Sequence, residues 1–334
     1  MKMTYAAAGL TRRTALGLIA SAAIAPRFAN AADQAPAAFP KGQLKLVVPF
    51  SPGGPVDVLG RLLAQEYQVR TGVSAIVENK TGGAGNIGIE YVQKATPDGT
   101  TLLLIPAGNL TINPTLMKNL PFVVLRDFAP ITLLASAPNL FAVTPKSGIT
   151  TIKQLLDKAR TSKLTYGTPG VGSQLHLAME LFKEKTGADL THIPYRGSPQ
   201  ALSDLLGGHI DVLSTNLPSV LPSIKEKTIV PLAMTTAERS PLVPEVPTLA
   251  EAGVPGIDVT SWYGMLAPKA IPNDTRDAIF SLTGDILDQP EMKQKLLTQA
   301  LTVMIEKPDV FAGRIERETA LWAEIIKKRN ISAQ

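Results

Sequence analysis

The sequence predicts an α/β protein built as two lobes, and three observations carry that prediction. The chain of 334 residues is long enough for about two domains, each with its own core. Short apolar runs alternate with segments of helical periodicity, the pattern of sheets flanked by helices. Several apolar runs end in turns of Gly, Pro, Ser and Asn. Open α/β sheets bind their ligands there, beyond the carboxyl ends of the strands.

The most informative stretch is 46–61, LVVPFSPGGPVDVLGR. Residues 46–50 form an apolar strand and 51–55 a turn. Leu59, Leu62, Leu63 and Tyr67 then share one face of a helix. Pro55 suits the first helical turn, where its missing N–H has no intrahelical partner. Gly53 and Gly54 let the backbone approach whatever lies at the helix mouth, where free N–H groups and the dipole favour an anion. The same features also suit a plain strand-to-helix turn. No Gly-Lys-Ser/Thr follows, so this is not a phosphate P-loop.

Further along, 75–78 reads as a strand, 79–87 as a second glycine-rich turn and 88–95 as a helix. Strand 101–105 runs into a third small-residue turn at 106–109. The alternation predicts parallel strands, with the three turns on one edge. A second unit repeats the plan. It has strands at 140–144, 164–168, 191–195 and 210–214, and helices at 151–159, 174–185 and 200–207. Residues 262–264, Trp-Tyr-Gly, mark the place where the chain crosses back, with Trp262 and Tyr263 either packing there or forming a stacking platform. Helices at 273–287, 290–299 and 308–327 complete the chain, the last presenting Phe311, Ile315 and Trp322. Two lobes joined by crossings predict a cleft that closes about a hinge.

Composition removes several function classes. Four of the 33 basic residues lie in 1–31, which holds no acid, leaving 29 bases against 28 acids in the remainder. That balance gives no footprint for nucleic acid. Without cysteine there is no disulfide, thiolate nucleophile or Cys metal site. Three scattered histidines without HExxH argue against a metal enzyme. Ser173 and Ser214 lack a GxSxG elbow. No cofactor is expected. Thr11-Arg12-Arg13, an apolar run at 15–25 and Ala29-Asn30-Ala31 together read as an export signal over 1–31, for which the paired arginines suggest the twin-arginine route, with general secretion the alternative.

The ordered segments LVVPFSPGGPVDVLGRLL, VENKTGGAGNIG, PDGTTLLL, HIPYRGSPQALSDLLGGHIDV, VPTLAEAGVPG and SWYGMLAP resemble the Bug-type receptors. These are the extracytoplasmic solute-binding proteins of tripartite tricarboxylate transporters. The resemblance runs from about Lys41 to the C-terminus. It implies a two-domain periplasmic-binding-protein fold with two crossing segments, divided as 41–141 with 263–334 and as 142–262. It also implies a periplasmic monomer that captures a small carboxylate and delivers it to membrane permease subunits. Carried onto this chain, Phe50, Ser51, Gly53 and Gly54 wall one carboxylate site. Ala84, Gly85 and Asn86 close it, and Ala107, Gly108 and Asn109 line the same side. Thr168, Gly170, Gly172, Ser173, His176, Arg196, Thr215 and Asn216 face them from the second domain.

Several of these residues carry structural alternatives. Asp57 is either a ligand contact or a helix-end acid paired with Arg61 four residues on. His176 either hydrogen-bonds locally or touches ligand, and Arg196 either clamps a carboxylate or braces its loop. A ligand sensor for a membrane kinase and a small-molecule enzyme are the competing functions.

Overall fold

The computed structural model describes residue 4 and residues 38–117, 119–328 and 331. The export signal read at 1–31 therefore lies outside the described residues, Thr4 apart. The first lobe begins with β1 (Leu44–Val48), α1 (Pro55–Thr71), β2 (Ala75–Asn79), α2 (Asn86–Gln93) and β3 (Thr101–Pro106). Three short helices follow, α3 (Ala107–Thr111), α4 (Asn113–Leu116) and α5 (Val124–Asp127), and then the ten-residue β4 (Phe128–Ala137). In α1, Val56, Leu59, Leu63 and Tyr67 are buried, which anchors the helix mouth at the sheet edge. Gly72, in the left-handed region, stops the helix by donating its N–H to Gln68 O.

The chain crosses at Pro138 into the second lobe. There it forms β5 (Asn139–Val143), α6 (Ile152–Ala159), β6 (Leu164–Thr168), α7 (Gln174–Thr186) and β7 (Leu190–Pro194). The lobe is completed by α8 (Ser198–Gly207), β8 (Val212–Asn216), α9 (Leu217–Lys225) and β9 (Val230–Met234). A long return then leads to β10 (Ser261–Pro268), α10 (Asn273–Asp288), α11 (Pro290–Thr298), β11 (Thr302–Val303) and α12 (Pro308–Lys328).

The strands form two mixed sheets, ordered β11-β4-β10-β3-β1-β2 and β7-β6-β8-β5-β9. The wholly parallel sheets expected from the alternation are not found. β1 is parallel to β2 and β3, but β10 is antiparallel to both β3 and β4. In the second sheet, β5 is antiparallel to β8 and β9. The reason lies in the crossings: each lobe receives strands from a chain that has just left the other. Residues 262–264 accordingly sit inside β10, between β3 and β4, instead of in a bare crossing. The expected turn at 106–109 is also corrected, since Ala107 opens α3.

The two crossings are clipped together. Asn139 Nδ2 and Thr235 Oγ1 both donate to Val259 O, at 3.0 and 2.8 Å, and Asn216 Nδ2 donates to Asn139 Oδ1 at 2.6 Å. Helix α12 links the lobes as well. Phe311 and Ile315 pack in the first, whereas Trp322 and Ile326 pack in the core of the second.

Packing at β10 leaves no slack. A Cβ on Gly264 would stand 2.3 Å from Cζ of Phe311, a fully buried ring held edge-on against Trp262 with centroids 5.6 Å apart. Trp262 is itself fixed by Glu318, which accepts from its indole N–H at 2.9 Å. Gly264→Ala should therefore destabilise the protein by about 1–3 kcal/mol in urea unfolding. An unchanged midpoint would show that Phe311 can retreat.

Candidate functional site

A cavity of about 60 Å³ lies between the lobes, at the sheet edge where β1, β3, β6 and β8 end. From the first lobe it is lined by Val48, Phe50, Ser51, Ala84, Pro106, Gly108, Asn109 and the start of α1, Gly54 to Asp57. Ser261 and Tyr263 complete that side. Because β10 runs antiparallel to β3, its beginning reaches the same edge as the end of β3, with Tyr263 opposite Pro106. The second lobe contributes Pro169, Gly170, Val171, Ser173, Gln174, Leu175, Gly197, Ser198 and Asn216.

The helices α1, α7, α8 and α9, of 17, 13, 10 and 9 residues, all begin at this wall. The N-caps of α1, α8 and α9 make no side-chain capping bond, and only α7 is capped, by Ser173 accepting from the His176 N–H at 3.1 Å. The first bond within α1 is Val58 N to Gly54 O, so the N–H groups of Val56 and Asp57 precede the ladder. No lining residue is Lys, Arg or His, and the one charged side chain is Asp57. The wall therefore presents positive potential from backbone dipoles, without a mobile counter-charge.

Asp57 does not leave its carboxylate free. It is buried, and it accepts from Arg61 Nε at 2.9 Å, Arg61 Nη2 at 3.0 Å, Asn79 Nδ2 at 2.9 Å and the Gly53 N–H at 2.9 Å. Burial would raise its pKa, but these donors outweigh it and hold the carboxyl below its usual value. Asp57 thus fixes the turn before α1 and is neutralised by Arg61. Across the cavity, Ala84 sits in the left-handed region at φ 55° and is held there by Asn109 Nδ2, which donates to Ala84 O at 2.8 Å. Such a backbone persists only where its surroundings enforce it, and it lies here on the cavity wall.

Beneath the start of α7 three rings are stacked. His176 lies on His192 at 4.1 Å, and His192 on Tyr166 at 4.9 Å. His176 Nδ1 accepts the Gly172 N–H at 3.3 Å, His192 Nε2 is 2.7 Å from Thr168 Oγ1, and the Tyr166 hydroxyl donates to Glu180 at 2.6 Å. Lys183 also reaches Glu180, at 2.7 Å. Burial, then the charge of Lys183, pushes His176 down to about 4. Burial and His176 push His192 down to about 3, with Glu180 opposing.

Ten of the nineteen residues proposed from the sequence line the cavity: Phe50, Ser51, Gly54, Asp57, Ala84, Gly108, Asn109, Gly170, Ser173 and Asn216. The other nine stand behind the wall or beside it. Gly53 serves Asp57, Gly85 gives its N–H to Gly82 O, and Asn86 and Ala107 open α2 and α3. Thr168 and Gly172 hold the histidine stack, whose member His176 is buried in it. Thr215 is buried in β8, and Arg196 is exposed and contributes its carbonyl, which accepts from Ser51 N and Ser51 Oγ at 3.2 and 3.1 Å. Tyr263, which the sequence left between packing and a stacking platform and did not place among the site residues, is buried and reaches the cavity wall. Among the described residues no cluster of His, Asp and Glu could hold a metal, and no helix is long and apolar enough to cross a membrane.

A two-lobed fold with a cleft walled by helix N-termini defines a solute-binding protein of the periplasmic-binding-protein type. Residues 59–331 match the model of the tripartite tricarboxylate transporter family receptor, and the chain belongs to that family. Protein BugT of Bordetella pertussis is 33% identical over 293 residues, 87% of this chain and 90% of its own. A Pseudomonas protein from the tcbD–tcbE intergenic region is 33% identical over 319 residues, 95% of each chain. Among solved structures, an R. palustris protein with adipate is similar at 34% identity and TM-score 0.85, covering 88% of this chain and 99% of its own. MatC from Rhodopseudomonas palustris, with bound malate, is similar at 27% identity and TM-score 0.82, covering 86% and 100%.

The histidine stack predicts acid sensitivity. Both folded values lie below the ordinary 6.5, so the unfolded chain takes up protons first as pH falls. Stability therefore declines from about pH 6.5 towards pH 4, with buried His176 alone contributing up to about 1.4 kcal/mol per pH unit. Urea unfolding near pH 7 and pH 5 should differ by about 1–2 kcal/mol. Equal stability would contradict a buried neutral pair.

Proposed function

We propose that this chain is a periplasmic receptor that captures a short aliphatic dicarboxylate or hydroxy-carboxylate between its lobes. It releases the acid unchanged to the membrane permease subunits of a tripartite tricarboxylate transporter, acting as a monomer. The observation that carries the reading is a cavity walled by helix N-termini in which no lysine, arginine or histidine takes part. Backbone donors strip a carboxylate of water without the strong pairing of an immovable counter-charge, so affinity stays moderate and release remains possible. The small volume favours short acids, and the acids named with the R. palustris structures, adipate and malate, are of that kind. Binding without chemistry fits the side chains. Asp57 is tied to Arg61, and His176 is buried and neutral, so no acid–base pair is free at the wall.

The moving halves are taken as 41–141 with 263–334 and 142–262, bounds that fall two or three residues inside β5, which belongs to the second-lobe sheet, and β10, which belongs to the first. They touch around the cavity: a Cβ on Gly108 would stand 2.4 Å from Gly172 O and 3.0 Å from Ser173 Cα. Closure on a bridging ligand is the hinge motion such lobes allow.

Two measurements test this reading. In a thermal-shift screen of organic acids, a dicarboxylate should raise the melting temperature, since a ligand at about 100 times its Kd stabilises by about 2.7 kcal/mol. A panel in which only sugars, amines or cations act would overturn the carboxylate reading, while a response confined to aromatic acids would move the specificity to a ring beside Phe50. Gly108→Ala should lower affinity by about tenfold or more, because its Cβ would meet the backbone of Gly172 and Ser173 and hold the lobes apart. Normal affinity in calorimetric titration would show that binding does not need this contact.

A further inference from the structure

Among the described tyrosines that are buried or half-buried, one breaks a rule. The Tyr67 hydroxyl is hydrogen-bonded to Thr283 Oγ1, Tyr166 donates to Glu180 at 2.6 Å and Tyr195 to Asp204 at 2.7 Å. Tyr263, 2% exposed, has a hydroxyl without any protein partner. Among the described residues four other buried side-chain polar atoms share that condition, on Asn86, Asn113, Thr215 and Ser219. Of the five, only Tyr263 belongs to a residue that lines the cavity. Buried hydroxyls are almost always paired, and an exception at a binding wall calls for a partner that arrives from outside.

The placement supports this. Tyr263 stands at the start of β10, its ring packed in the first-lobe core. That ring needs no hydroxyl to pack. Burial raises the phenol above its ordinary value, so it remains a protonated donor at neutral pH. The one carboxylate on the wall, Asp57, already accepts from Arg61, Asn79 and Gly53.

We propose that the Tyr263 hydroxyl is a direct ligand contact that donates a hydrogen bond to a carboxylate oxygen of the bound acid, an assignment that rests on the carboxylate reading of the cavity. It follows that the tyrosine is kept at a cost to the unliganded protein, whose buried hydroxyl is satisfied only on binding.

Tyr263→Phe removes the hydroxyl and keeps the ring. Wild type and variant would be titrated calorimetrically with malate, succinate and adipate, and both would be melted without any acid. The variant should bind the best of the three acids about tenfold or more weakly. Its unliganded melting temperature should equal or exceed that of wild type. Equal affinity would overturn the assignment while leaving the carboxylate reading intact. A lower unliganded melting temperature would also overturn it, because the hydroxyl would then have a structural partner. If wild type bound none of the three acids, the carboxylate reading and the assignment would fall together.

Discussion

Helix N-termini cannot be gathered around one small cavity without an electrostatic consequence. Each carries the equivalent of about +0.5 elementary charge, and four such ends meet here. The one carboxylate on the wall, Asp57, is neutralised by Arg61 and spends its remaining capacity on Asn79 and Gly53. The closed wall thus holds positive potential that an anion can satisfy and that no side chain does. The other features of the site follow from that constraint. Small residues bring backbone close, strained Ala84 is braced by Asn109, and cationic side chains are kept behind the wall.

The same constraint makes the lobes depend on one another. α1 belongs to one lobe and α7, α8 and α9 to the other, so the potential is complete only when the halves meet. At the cavity the lobes meet where Gly108 faces Gly172 O, which leaves no room for a side chain at Gly108, and where the Ser51 N–H and hydroxyl both donate to Arg196 O. The crossings are held differently, by buried asparagine and threonine bonds, with α12 spanning both cores. Directional hydrogen bonds hold the crossings in register, while the glycine contacts at the mouth make few demands when the lobes part.

How much of this could be read from the sequence depended on how local the determining physics is. The β1 turn and α1 were legible because strand, glycines, Pro55 and the helical face are contiguous, and the Asp57–Arg61 pair follows from i,i+4 spacing. Helices α6, α7 and α12 were found within a residue or two for the same reason. Strand direction was not legible, because it is set by which lobe the chain has just left. β4 is almost wholly buried on both faces and shows no period-two signal. Tyr263 was missed as part of the wall because its position depends on β10 running antiparallel beside β3. His176, which the sequence left between local hydrogen bonding and ligand contact, accepts locally from the Gly172 N–H, and its ring turns onto His192, a strand partner distant in sequence.

In the proposed complex, backbone at helix mouths, and not a basic side chain, holds the ligand. A crystal structure of the protein with its tightest-binding organic acid tests that claim most directly. If backbone holds the ligand, its carboxylate oxygens should lie within about 3 Å of backbone nitrogens at the starts of α1 and the second-lobe helices, enclosed between the lobes. A carboxylate paired instead with Arg61, Arg196 or any lysine, or an acid bound away from this cavity, would contradict it.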